Sequence, residues 1–75
     1  MLEINKRVFL LKMLKLQKDE SVDDAISMLA GTGMFSVQEG KLIYMELKDE
    51  GYIVEGSLSV KGVLEAQKAL REFKL

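Results

Sequence analysis

The sequence predicts a mainly α-helical domain with one small β-hairpin, in the order α-α-α-β-β-α. Three observations carry this. Ser21 and Ser36 each open an apolar-periodic run with an acid three residues on, the pattern of a helix-initiating capping box. Gly51 follows the second run directly and stops it. Behind it, Tyr52-Ile53-Val54 has strand chemistry and Glu55-Gly56 is a turn signal. Ser57-Leu58 then begins a return strand ahead of a last helical stripe.

Helix 1 is expected over Asn5 to Lys18. At about 100° per residue its apolar side chains resolve into two faces. Phe9, Leu10, Met13, Leu14 and Leu16 form a wide face that enters the core. Ile4, Val8 and Leu11 form a narrow one, bordered by Arg7, Lys12, Lys15 and Lys18, with no obvious home in a monomer. Helix 2, about residues 22–30, follows Ser21. Asp24 completes a near capping box, and Asp23 and Asp24 both sit against the positive end of the helix dipole. Val22, Ala25, Ile26 and Leu29 are its inner stripe, Gly31 ends it, and Thr32-Gly33 turns the chain.

Helix 3, about residues 37–50, opens on Ser36-Val37-Gln38-Glu39 and turns Val37, Gly40, Ile43, Tyr44 and Leu47 inward. A glycine inside a helix costs about 1 kcal/mol against alanine. Gly40 therefore implies close packing on another helix, with Phe35 folded over it. The hairpin spans about residues 52–59. Ser59 caps helix 4, about residues 60–73, whose stripe is Val63, Ala66, Ala69, Leu70 and Phe73. The expected core gathers Phe9, Leu14, Ile26, Leu29, Ile43, Leu47, Ile53, Leu58, Val63, Leu70 and Phe73.

Composition bounds what this domain does. Its 75 residues make a single domain, 1–75, small enough that its core gains from any further burial. The chain has no cysteine and no histidine, which excludes disulfides and Cys/His metal sites and suits a cytoplasmic setting. No apolar run reaches the length of a membrane span. The segment from Met1 to Leu16 lacks the small-residue cleavage site and uninterrupted apolar stretch of a signal peptide. The formal net charge of −1 counts against non-specific nucleic-acid binding, for which domains are usually basic.

One stretch carries a family resemblance. Leu47-x-x-x-Gly51-Tyr52-Ile53, with Leu58-Ser59-x-Lys61-Gly62 downstream, resembles the second half of a winged helix-turn-helix domain. There a recognition helix feeds directly into a β-wing. The resemblance covers about Ser21 to Phe73. It implies a fold shared by DNA binders, RNA binders and protein-contact modules, so it constrains function loosely. One departure is the link at residues 31–35, longer than the turn of about three to four residues in the tightest helix-turn-helix units.

The resemblance implies base reading by the outer face of helix 3, here Gln38, Lys41, Met45 and Lys48. Gln can pair with adenine, and Lys can approach guanine or phosphate. Double-stranded DNA is thus one expected partner, and the chain a small transcriptional regulator. Lys12, Lys15 and Lys18 are the candidate phosphate contacts. Against this, Glu39, Glu46, Asp49 and Glu50 share the helix, and the turn at Glu55-Gly56-Ser57 carries an acid where such wings often carry Arg or Lys. The alternative is a non-enzymatic interaction module whose protein partner meets Leu42 and Met45. A homodimer is expected through Ile4, Val8, Leu11 and Leu64. No catalytic residue, metal ligand or cofactor is assigned: Ser21, Ser36 and Ser59 are explained as caps, and Gly31-Thr32-Gly33 is too short to cradle phosphate. No membrane partner is expected.

Overall fold

The computed structural model describes residues 2–73. It has the expected order: α1 (Ile4–Leu14), α2 (Val22–Gly31), α3 (Val37–Asp49), β1 (Ile53–Val54), β2 (Ser57–Leu58) and α4 (Val60–Phe73). Met1, Lys74 and Leu75, at the ends of the expected domain, lie outside the described residues.

Both capping boxes form. The Ser21 hydroxyl accepts from the Asp24 amide at 3.3 Å, while the Asp24 carboxylate accepts from the Ser21 amide at 2.8 Å. Ser36 and Glu39 make the same exchange at 3.1 and 2.9 Å. These two boxes fix where α2 and α3 begin, and hence which faces they turn inward. Phe9, Leu10, Leu47 and Ile53 are the large side chains fully withdrawn from solvent, so α1, α3 and the hairpin share one core. Phe9 lies between Phe35 and Tyr44, at ring separations of 6.5 and 6.4 Å. Gly40 is packed as its position implies. A methyl group there would come within 2.9 Å of Ile26 Cγ2 and 3.0 Å of Phe35 Cε1.

The end of α3, the hairpin and the start of α4 form one hydrogen-bonded unit. Gly51 takes φ +84°, outside the range favoured by side-chain-bearing residues. This lets the Tyr52 amide donate to the Leu47 carbonyl at 2.9 Å and the Gly51 amide to the Lys48 carbonyl at 3.1 Å, a Schellman ending. The chain then doubles back in an antiparallel pair, Ile53 opposite Leu58 and Val54 opposite Ser57. Its two-residue turn, Glu55-Gly56, has positive φ at both positions, +51° and +78°. Ser59 accepts from the Gly62 amide at 3.0 Å, capping α4, and donates its hydroxyl to the Gly51 carbonyl at 2.6 Å. Lys61 Nζ donates to the Glu50 carbonyl at 2.8 Å and sits 4.3 Å above the Tyr52 ring. The carbonyls of Glu50 and Gly51, just past the end of α3, are therefore taken by Lys61 and Ser59 at the start of α4.

Several sequence expectations shift. Helix 1 stops at Leu14 rather than Lys18. The Gln17 amide is taken by the Glu20 carboxylate at 2.8 Å and the Glu20 amide by the Gln17 carbonyl at 3.1 Å, a local turn that competes with the helix. Gly31 ends α2 as expected, although not in the left-handed conformation. It is the last helical residue, and Gly33 takes the positive φ of +81°. Val37, expected to face inward, is exposed. Leu70 and Phe73 are also largely at the surface, each 37% exposed. The inner face of α4 is instead Gly62, Ala66 and Ala69, small residues that let the helix lie close against the hairpin at Gly62 and against α1. Leu14, Ile43 and Leu58 pack against the core only half-buried, and Val63 is likewise half-buried.

A Cβ at Gly62 would lie 2.0 Å from the Tyr52 carbonyl oxygen, a backbone atom held by the Ser59 amide at 3.0 Å. Gly62→Ala should therefore cost at least about 1–3 kcal/mol, the usual range for overpacking. Gly31 has nothing within 4 Å of that position and ordinary helical φ. Gly31→Ala should stabilise by roughly 0.4–1 kcal/mol. Urea unfolding of the two variants checks both signs.

Candidate interaction surface

The charged groups of α3 are sorted by the way the helix packs. At about 100° per residue, Gln38, Leu42, Met45 and Asp49 form its outermost strip. Lys41 and Lys48 lie on one flank, and Glu39, Glu46 and Glu50 on the other. The acidic flank faces α1. Lys6 Nζ is 3.1 Å from Glu50 and 3.8 Å from Glu46. Glu39 is engaged in the Ser36 capping box. The four acids thus do not all oppose the two lysines: two acids pair with Lys6, one caps, and Asp49 stands on the outer strip.

Gln38, Lys41, Met45 and Lys48 are all exposed, on the side of α3 expected for them. Lys41 and Met45 line a groove of 590 Å³ between the start of α2 and α3, which Gly56 of the hairpin turn also lines. Its apolar lining is Val22, Ile26, Tyr44 and Met45, and Asp23 and Lys41 bring both signs of charge to it. Among the described residues neither Asp23 nor Lys41 is in an ion pair. Beside the groove, Leu42 and Met45 are 60% and 58% exposed, far more than most apolar side chains of the chain.

The lysines expected at phosphate are dispersed. Lys12 is half-buried within α1, Lys15 is its C-terminal cap residue, and Lys18 lies in the turn beyond. Only Lys18 borders the hairpin, in a cleft shared with Gln17, Glu20, Gly56 and Ser57. The two other basic residues of α1 serve the fold. Lys6 is tied to α3, and Arg7 is paired with Glu72 and placed 5.2 Å above the Phe73 ring of α4. The basic side of α1 is therefore not one free cationic strip.

The four residues expected at a dimer interface differ in exposure. Val8 packs against the core, Leu11 is half-buried, and Ile4 stays exposed at the start of α1. Leu64 lies on the outward side of α4, away from the Gly62-Ala66-Ala69 face. Four exposed apolar residues escaped the sequence reading, Met28 of α2 and Met34 of the following link among them. Val54 extends from the hairpin at 55% exposure, and Val60 opens α4 at 80%. The signal for Val60 was its position directly after the Ser59 cap, four residues before Leu64. No helix of the described residues is long and apolar enough to cross a membrane, and they hold no cluster of acidic side chains arranged for a metal ion. The chain matches no family model, and no curated protein or solved structure matches it significantly.

Two predictions test these local features. The hydrogen bond from its ammonium to Glu50 holds Lys6 above the ordinary lysine value of 10.5, with the charges of Glu50, Glu46 and Glu3 adding to it against a smaller desolvation effect. A raised folded pKa contributes stability that is complete below the ordinary value and is lost as pH rises through the raised one. The stability difference between wild type and Lys6→Met should stay constant up to the ordinary lysine range and shrink above it, as read from urea unfolding between about pH 7 and pH 11. Glu55 occupies the left-handed region, which costs a side-chain-bearing residue about 1–2 kcal/mol. Glu55→Asn, a residue favoured in this type of turn, should raise stability by up to about 1 kcal/mol, measured by thermal unfolding.

Proposed function

We propose that this chain is a non-enzymatic protein-contact module of winged-helix-like layout, and that the outward strip of α3 with its adjoining groove is the contact surface. The observation that carries this reading is the exposure of Leu42 and Met45 beside an apolar groove whose lining holds both signs of charge. Apolar side chains with a mixed polar rim are the anatomy of a protein interface. A surface built for phosphate would be dominated by one sign of charge. Here Asp23 lines the groove with Lys41, Asp49 shares the outer strip of α3, and the hairpin turn, Glu55-Gly56-Ser57, contributes no base.

Double-stranded DNA is the second reading, and one observation favours it. The acids Glu39, Glu46 and Glu50 are turned from the outer face or engaged elsewhere, leaving Gln38, Lys41 and Lys48 exposed along one helix. Regulation of transcription belongs to that reading.

A titration against random duplex DNA separates the two. A protein-contact module should show no binding at about 20 mM salt, where phosphate contacts are strongest, and should enrich no sequence from a random pool. Binding whose log–log salt slope becomes shallower by about one unit in Lys41→Ala would place Lys41 on a phosphate and support the DNA reading.

A further inference from the structure

We draw no further inference here: the strongest candidate, the groove between Tyr52 of the hairpin and the outward side of α4 with its exposed Val60 and Leu64, carries nothing because its lining holds both signs of charge and nothing in the structure shows what covers it.

Discussion

The approach of the Tyr52 carbonyl to Gly62 is the constraint on which the rest of the molecule depends. It joins the end of α3, the hairpin and the start of α4 into one unit with no room for a side chain between them. Gly51 turns the chain out of α3, Ser59 closes over the Gly51 carbonyl, and Lys61 closes over the Glu50 carbonyl. Each bond satisfies a helix-terminal group that would otherwise need water. Moving α4 away would break several of them at once, so the direction of α4 is set before any core contact is counted. That direction lays Ala66 and Ala69 against α1.

Helix α1 shows how a small domain uses its charges to close its own surface. It has more apolar side chains than one stripe can hold, and the structure partly covers both faces by packing α1 between α4 and the other helices. Lys6 and Arg7 then clamp its first turns to α3 and α4. Side chains of this kind are most useful where a long apolar stem covers the core edge and the charged head reaches an acid. The side chains of Lys6 and Arg7 are only 14% and 15% exposed, so a cationic face in the sequence becomes an internal fastening in the fold.

The same fastening shapes the outer surface. By drawing Glu46 and Glu50 toward α1, Lys6 leaves α3 with an outward strip of mixed character: apolar at Leu42 and Met45, acidic at Asp49, basic along the Lys41–Lys48 flank. Net charge near zero hides this sorting, because what a partner meets is the arrangement and not the sum. The outward side of α4 is likewise apolar at Val60 and Leu64. The faces opposite the core are the ones with chemistry to offer.

Much of the architecture was legible in the sequence because its signals are local. Ser21 and Ser36 with their acids at the third position, Gly51 before a β-branched strand, and the Glu55-Gly56 turn each act within a few residues. They set the order of elements, the starts of α2 and α3, and the close packing at Gly40. The outward position of Gln38, Lys41, Met45 and Lys48 followed from the same helical period. Tertiary packing decided what periodicity could not. The end of α1 was set by the Gln17–Glu20 turn, and the inner stripe of α4 by how far that helix extends past the core, which left Leu70 and Phe73 outside. The destinations of Lys6 and Arg7 depended on acids more than forty residues away. A chain read in order shows which side chains share a helix face, but only the packed molecule brings distant charges together and decides which remain free for a partner.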